Sequence, residues 1–430
     1  MDRRGWIVTF AGMGLNLALG ILYAWSIFGK QLTEAVDKGG FGWSKTEATI
    51  PYTVTIACFA AMMVPAGRLQ DKFGPRIVAS VGALLTGTGL IVASLGGPST
   101  TLPAILGFGM MAGTGIGLGY ASAMPAAVKW FPPQKKGLIT GLVVAGFGLA
   151  PVYIAPLSRY LLSVYGINNS FRVLGVAFMV STTVFAQFIR NPSVNTAVKG
   201  SASSDQTKPL ETGYSWRQMI RTPEFYSLYI QYACAATAGL MIIGHLAKIV
   251  SVQSGNRITI GFLLVALLAI FNAGGRVVAG IVSDYVGRVV TIAFVCIVQA
   301  MTMFFFPHFT TVNAFILGSV LVGFNYGACL SLFPATTADY WGTKNLGLNY
   351  GILFTAWGIG GVFGPILASR IADATGAYTN AYYIAASLLL FAALLAMFSY
   401  INISVKISAN EVTIKLVRVP SAGRNRRSAA

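Results

Sequence analysis

The chain has 430 residues, of which 55% are hydrophobic and only 10% are charged, and its mean hydropathy is +0.69. A soluble domain carries roughly 25% charged residues, so this composition excludes an ordinary water-soluble globule. The 30 Lys and Arg residues outnumber the 12 Asp and Glu residues and give a formal net charge of +18, which fits either nucleic-acid binding or membrane topology.

Twelve apolar stretches of at least about 18 residues follow one another along the chain and predict membrane-spanning helices. Their apolar residues cover every side of the helix, and in a bilayer a helix satisfies its own backbone hydrogen bonds. The predicted spans are residues 6–29, 47–66, 77–96, 102–128, 137–157, 170–188, 225–247, 258–282, 289–306, 312–336, 347–371 and 378–403. We therefore predict an all-α membrane protein.

One long polar connection divides these spans six plus six. The expected units are a first six-helix bundle (1–189), a linker (190–224), a second six-helix bundle (225–404) and a tail (405–430). The side that holds both termini and the linker has 21 Lys and Arg residues, and the other side has 8. The positive-inside rule therefore predicts that the termini and the linker are cytoplasmic. No basic run is interleaved with aromatic residues, so we expect no nucleic-acid partner.

A short motif occurs once in each half, after the second and the eighth span. Its residues are Gly67, Asp71, Gly74 and Arg76 in the first copy and Gly280, Asp284, Gly287 and Arg288 in the second. The two glycines and the aspartate recur at a constant offset of 213 residues, which predicts two halves related by an axis along the membrane normal. The glycines allow close helix approach, and the aspartate is suited to cap a helix N-terminus.

This motif resembles the signature loop of the major facilitator superfamily, G-x-x-x-D-[RK]-x-G-[RK]-[RK], with Pro75 at one basic position. Other segments resemble a narrower branch, the bacterial oxalate/formate antiporters and monocarboxylate transporters. They are K-W-F-P-P-Q-K-K-G (129–137), M-I-R-T-P-E-F-Y (219–226), F-N-A-G-G-R-V-V-A-G-I-V-S-D-Y-V-G-R (271–288) and L-N-Y-G-I-L-F-T-A-W-G-I-G-G-V-F-G-P (348–365). The resemblance implies the major facilitator fold, with two pseudo-symmetric six-helix halves, in the inner (plasma) membrane of a prokaryote.

Arg276 is the one basic residue well inside a predicted span rather than within its first or last turn, and no acidic residue lies at mid-membrane depth. An arginine keeps its charge in a protein, and in the bilayer it costs at least about 2.5–3.5 kcal/mol unless it is compensated. A transported anion is one partner for it; the alternative is a side chain that snorkels to the cytoplasmic end. Asn272 lies one turn earlier on the same face, placed to bind the same carboxylate or to bond another helix.

In the family resemblance, Arg276 matches the arginine that binds the substrate carboxylate. A second cation of the oxalate carrier falls at Trp357 here, and a single central cation favours a monocarboxylate such as lactate, pyruvate, formate or acetate. Two features of animal monocarboxylate transporters differ here. Their aspartate often stands at the position of Asn272, and their first-span lysine falls near Phe28, with Lys30 close by, so their proton-coupling scheme does not transfer directly.

The other candidate residues are polar or aromatic side chains near the same depth, each of which also has an ordinary packing interpretation. The tyrosines lie in equivalent G-x-x-Y contexts of the fourth and tenth spans, the apolar residues are candidate cavity walls, and the histidine and lysine are candidate proton carriers. These residues are Tyr120, Tyr326, Phe28, Leu149, Trp357, His245 and Lys30.

Together these features predict a secondary transporter, acting as a monomer, that moves a small monocarboxylate by alternating access. Proton symport is the favoured coupling, and oxalate/formate exchange is the alternative. An alternative transport chemistry is efflux of hydrophobic cations, which requires an acidic residue within the membrane, and none is present at mid-membrane depth. Another alternative is a receptor that binds a carboxylate without transporting it, which would use the same site chemistry. The sequence has no G-x-x-x-x-G-K-[ST] loop and no nucleophile or metal constellation, so we expect no enzyme activity, no cofactor and no metal.

Overall fold

The structure is a computed structural model that describes residues 3–192, 213–258 and 260–417. Nearly all of these residues are helical. The long helices are α1 (Arg3–Thr33), α2 (Lys45–Phe73), α3 (Pro75–Ala93), α4 (Leu102–Val128), α5 (136–165), α6 (167–188), α7 (Pro223–Gln253), α8 (Gly261–Val286), α9 (Arg288–Phe305), α10 (Val312–Trp341), α11 (Leu346–Thr375) and α12 (Thr379–Val417). A 3₁₀ turn at Gly20–Ala24 interrupts α1.

In the described part of the chain, eleven continuous helices are long and apolar enough to cross a membrane. One of them, Lys136–Phe188, is 53 residues long and contains two predicted spans. Its backbone leaves the helical conformation at Gly166, where φ is 70° and ψ is −177°. Only glycine adopts this region readily.

Contacts on either side of Gly166 show that the chain reverses there. Before it, Asn16 donates to the Val143 carbonyl at 2.9 Å and Tyr153 donates to the Leu17 carbonyl at 3.0 Å, so α5 runs parallel to α1.

After Gly166, α6 runs antiparallel to α3. Asn168 donates to the Ser94 carbonyl at 2.7 Å, and Arg76 donates to Gln187 at 2.8 Å. α1 and α3 both pack antiparallel to α4, so they run in the same direction. Because α5 runs parallel to α1 and α6 runs antiparallel to α3, α5 and α6 point in opposite directions. The twelve predicted spans and the all-α membrane fold are therefore confirmed.

Counterpart helices occupy the centre of each half. Residues 115–128 of α4 and residues 325–338 of α10 are buried without interruption. A helix that is buried on every side has no need of a polar face, which explains why apolar residues cover every side of these two helices.

Two segments of the predicted division fall outside the described residues: 193–212 of the linker and 418–430 of the tail. A short helix, Trp216–Met219, lies between the first of these and α7. The last helix continues to Val417, beyond the predicted end of the twelfth span at Ile403.

The two halves meet through glycines at the end of the bundle that holds the start of α1. A Cβ on Gly67 of α2 would lie 2.1 Å from the carbonyl oxygen of Gly347 in α11. A Cβ on Gly280 of α8 would lie 2.2 Å from the carbonyl oxygen of Gly137 in α5. Gly67 and Gly280 are counterparts in the repeated motif, so the first glycine of each copy lets one half touch the backbone of the other. We call the α5–α8 and α2–α11 contacts the two seams.

The motif aspartates bind the first turns of helices in the opposite half. Asp284 accepts hydrogen bonds from the backbone N–H groups of Gly137 and Leu138, both at 2.9 Å, at the start of α5. Asp71 accepts one from Leu348 at 3.1 Å, at the start of α11. An anion at a helix N-terminus is stabilised by the unpaired N–H groups and the helix dipole, so each half caps a helix of the other.

The basic residues of the two copies behave differently. Arg288 binds Asp284 at 2.6 Å and Asp339 at 2.8 Å, and Lys136 from the first half reaches Asp339 at 3.0 Å. Arg76 instead binds Gln187 within its own half. The second copy therefore carries the denser ion-pair network of the two.

Replacing Gly166 by alanine should destabilise the fold by about 1–3 kcal/mol, because a Cβ is strained at this φ and ψ. We expect a lower midpoint for thermal unfolding of the detergent-solubilised protein. Gly97→Ala is the matched control, because Gly97 lies in a connection with an ordinary φ and open space around it. Equal midpoints for the two variants would show that the turn does not require glycine.

Candidate functional site

Arg276 lies in the middle of the α5–α8 seam and is completely buried. Its Nε donates to Oδ1 of Asn272, one turn earlier on α8, at 2.9 Å. Its Nη1 donates to the backbone carbonyl of Val144 on α5. The guanidinium is therefore held by neutral oxygen atoms from both halves of the molecule. Asn272 and Arg276 share one helix face, as their spacing predicts, but here the Asn272 oxygen binds the guanidinium itself.

The remaining terminal nitrogen, Nη2 of Arg276, is buried and has no hydrogen-bond partner among the described residues. No salt bridge reaches Arg276 in this part of the chain, whereas the nearly buried side chains of Arg288 and Asp284 pair with each other. A buried donor without a partner costs about 1–3 kcal/mol, and more when it is charged. The position of Nη2 is consequently one where an anionic oxygen is strongly favoured.

Glycines of α5 make room for this side chain. A Cβ on Gly148 would lie 3.1 Å from Cζ of Arg276, and a Cβ on Gly141 would lie 2.3 Å from its backbone oxygen. Val144 lies between these two glycines on the same face of α5, so its carbonyl is open to the guanidinium.

An aromatic cluster extends from this seam across the centre of the molecule. Phe147 of α5 packs edge-on against Tyr120 at 5.3 Å between ring centroids, and Tyr120 packs against Phe354 at 5.7 Å. Phe354 stacks on Trp357 at 4.8 Å, and Phe59 of α2 lies within 6.0 Å of all four rings. Rings from both halves thus form a continuous apolar wall that begins at Phe147, the residue before Gly148.

Trp357 and Tyr326, two of the predicted site residues, bind one another. The indole N–H of Trp357 donates to the Tyr326 hydroxyl at 2.8 Å, and both side chains are buried. The Tyr326 ring fills the space beside Gly239 of α7, where a Cβ would lie 2.3 Å from it. The two residues are therefore fixed relative to each other.

Tyr232 and Tyr350 belong to the same region and were missed in the sequence. Their hydroxyl oxygens are 3.5 Å apart, and Tyr350 also shares a hydrogen bond with Tyr120 of the first half. In the sequence both residues resemble packing tyrosines within apolar spans. The contacts among these residues depend on how α7, α11 and α4 pack together, and no local sequence pattern predicts that packing.

Four other predicted residues occupy peripheral or less defined positions. Phe28 is buried and stacks on Phe171 at 4.3 Å inside the first half. Leu149 is half-buried, next to Gly148 on α5, and Lys30 is exposed. The half-buried ring of His245 bonds through Nε2 with the Pro365 carbonyl at 3.1 Å, within the second half. The structure thus gathers Arg276, Asn272, Tyr120, Tyr326 and Trp357 into the central region and leaves Phe28, Lys30 and His245 in other surroundings.

The architecture and the repeated motif agree with what a family comparison finds. The family model of the Major Facilitator Superfamily matches residues 5–313 and 300–424. The chain belongs to this superfamily. Its members are transporters, and the protein is accordingly a multi-pass membrane transporter and not an enzyme.

Similar proteins include carriers of small carboxylates. The oxalate:formate antiporter of Oxalobacter formigenes is 29% identical over 409 residues, covering 93% of this chain and 92% of that one. Monocarboxylate transporter 12 of Xenopus laevis is 23% identical over 371 residues, covering 79% of this chain and 77% of that one. These relatives agree with the branch that the sequence motifs resemble.

Solved structures of the superfamily share the fold. The human organic anion transporter MFSD10 superposes with a TM-score of 0.68 at 13% identity, covering 92% of this chain and all of that one. The Escherichia coli fucose:proton symporter superposes with a TM-score of 0.65 at 13% identity, covering 92% of this chain and 99% of that one.

Replacing Gly148 by valine should displace the guanidinium, because even a Cβ meets Cζ of Arg276 at 3.1 Å. We expect transport of the substrate to fall by about tenfold or more in proteoliposomes, because a fall of this size corresponds to the loss of one well-placed hydrogen bond to a charged group. Gly274→Ala is the control, because Gly274 lies on α8 two residues before Arg276 and has open space around it. A Gly148→Val variant with normal transport would show that the position of Arg276 is not critical.

Proposed function

We propose that the protein is a secondary transporter for small monocarboxylate anions and that Arg276 binds the carboxylate. The observation that carries this proposal is the buried Nη2 of Arg276, which has no hydrogen-bond partner in the described residues. A carboxylate oxygen at this nitrogen supplies both the missing acceptor and the missing negative charge. Asn272 and the Val144 carbonyl hold the guanidinium in place for it.

A single positive charge at the site favours one carboxylate over two. Among the described residues of the central region, Arg276 is the buried cation, and Trp357 occupies the position where the family resemblance places a second cation. A dicarboxylate bound here leaves one charged group among aromatic rings, which is costly. Lactate, pyruvate, formate and acetate each present one carboxylate and at most a short apolar group, which suits the aromatic wall.

Alternating access follows from the placement of the site between the halves. Arg276 belongs to the second half, whereas Val144, Gly148 and the Phe147 ring belong to the first. The glycine contacts close the bundle at the end that is predicted to be cytoplasmic. Rocking of one half against the other around a central substrate is the expected cycle for such an arrangement.

Proton symport is the coupling we propose first, because one proton with one carboxylate moves a weak acid without net charge. A second candidate is anion exchange, in which formate or another carboxylate crosses in each direction. Two observations favour it. The described part of the chain places neither a carboxylate nor a histidine in contact with Arg276, and one similar protein is an oxalate:formate antiporter.

Replacing Arg276 by alanine should reduce uptake of labelled lactate at least about 100-fold, since the charge-assisted hydrogen bond from Nη2 and the buried positive charge are both lost. The measurement is initial uptake by purified protein in proteoliposomes, with an imposed pH gradient in one arm and internal formate in the other. Acceleration by an alkaline interior supports symport, and acceleration only by internal formate supports exchange.

Arg370→Ala is the matched control, because Arg370 is exposed and lies at the far end of α11. It should transport lactate at the wild-type rate. Normal uptake by Arg276→Ala protein that inserts and remains monodisperse would refute the proposed function.

Replacing Trp357 by lysine should add a second cation to the site and give the carrier measurable oxalate uptake. We expect the ratio of oxalate to lactate uptake to rise by about tenfold or more, the scale of one additional charged hydrogen bond. Trp357→Phe removes the hydrogen bond to Tyr326 without adding charge and should leave oxalate uptake low. If wild-type protein already takes up oxalate as well as lactate, the preference for monocarboxylates is wrong.

A further inference from the structure

Tyr232 of α7 is one of the most deeply buried side chains in the molecule, with 1% of its surface exposed. Its ring stacks on Phe333 at 4.2 Å with an interplanar angle of 15°, and the edge of Phe354 packs against it at 6.3 Å. These contacts fix the ring, so the direction of its hydroxyl group is fixed as well.

The Tyr232 hydroxyl has only weak hydrogen bonding within the described residues. Within the described residues its hydrogen-bond partner is the Tyr350 hydroxyl, at 3.5 Å. Ordinary O–H···O bonds are about 2.7–2.8 Å long, so this contact is weak. Tyr350 has another partner in Tyr120, whereas Tyr232 is left with the long contact alone. A buried hydroxyl with so little bonding is available to a further acceptor.

Tyr232 and Arg276 lie at a similar depth in neighbouring helices. Tyr232 is nine residues, about 14 Å, from the start of α7 at Pro223, and Arg276 is ten residues, about 15 Å, from the end of α8 at Val286, on the same side of the bundle. The aromatic cluster connects their surroundings, because Phe354 packs against both Tyr232 and Tyr120, and Tyr120 packs against Phe147, which precedes Gly148 at the Arg276 contact. The same central region therefore contains two under-used donors, Nη2 of Arg276 and the hydroxyl of Tyr232. A carboxylate has two oxygens that accept hydrogen bonds.

We propose that Tyr232 is a second substrate-binding residue, whose hydroxyl donates to one carboxylate oxygen while Nη2 of Arg276 binds the other. This inference rests on the proposed function, since it assigns a further contact in the same site. Tyr350 and Tyr120 act as positioning residues that hold the hydroxyl near the substrate. Two-point binding from α7 and α8 fixes the orientation of a small anion that offers few other contacts.

The test is the kinetics of lactate uptake by Tyr232→Phe protein in proteoliposomes. The change removes one oxygen atom and keeps the stacked ring, so we expect unchanged thermal stability and an intact maximum rate. The KM for lactate should rise about tenfold or more, because the lost hydrogen bond is to a charged group. Direct lactate binding to the detergent-solubilised variant should weaken by the same factor.

Tyr229→Phe is the matched control. Tyr229 lies one turn earlier on α7, and its hydroxyl bonds with Thr355 at 2.9 Å, away from the proposed contact. Its KM should equal that of the wild type. Tyr350→Phe should raise the KM less than Tyr232→Phe, because Tyr350 acts only through its neighbours; equal effects of the two changes would mean that the hydroxyl cluster is structural and would overturn the proposal.

The outcomes also separate this inference from the proposed function. A wild-type KM for Tyr232→Phe, combined with loss of uptake in Arg276→Ala, overturns the role of Tyr232 and leaves the transporter proposal standing. Absence of uptake and of binding for every tested monocarboxylate by wild-type protein overturns both. In the Arg276→Lys background, Tyr232→Phe should change the KM by a different factor than in the wild type, since residues that bind one ligand group are energetically coupled.

Discussion

The central constraint on this molecule is a guanidinium that cannot lose its charge and has no access to water. Asn272 and the Val144 carbonyl neutralise it only through dipoles, and the third donor group remains unpaired. An isolated charge in such an environment is expensive, and its partners in the described chain are all neutral. The arrangement is stabilised when an anion joins it, and this is the reason for proposing a carboxylate substrate.

The surroundings of Arg276 follow from the same constraint. Glycines at 141 and 148 remove the side chains that would otherwise stand between α5 and α8, so a backbone carbonyl reaches the charge. Arg276 is shielded from water, and the aromatic cluster that begins at Phe147 makes the centre of the molecule apolar, which strengthens electrostatic interactions there. The repeated motif applies a related principle at the closed end, where Asp71 and Asp284 place their charges on helix N-termini of the opposite half.

Features set by local sequence were predictable, and features set by the meeting of helices were not. Twelve spans, the half-chain repeat, and the placement of Asn272 and Arg276 on one helix face follow from hydropathy, spacing and helical periodicity, whereas the bond between these two residues was not predicted. The reversal between α5 and α6 falls in the predicted connection at 158–169, but the sequence does not single out Gly166, one glycine among 49, as its turning point. Phe59, Tyr232 and Phe354 come from three helices far apart in sequence, so their contact depends on the assembled bundle.

The closed end and the candidate site belong to one mechanical unit. Arg276 and Gly280 lie one turn apart on α8, about 6 Å along the axis, and their partners Val144 and Gly137 lie two turns apart on α5. A straight helix moves as a rigid body, so separating Gly280 from Gly137 also moves Arg276 away from Val144. The second seam behaves alike, because Gly67 and Phe59 of α2 meet Gly347 and Phe354 of α11. Opening this end therefore changes what surrounds the guanidinium, and the charge and the closure cannot vary independently.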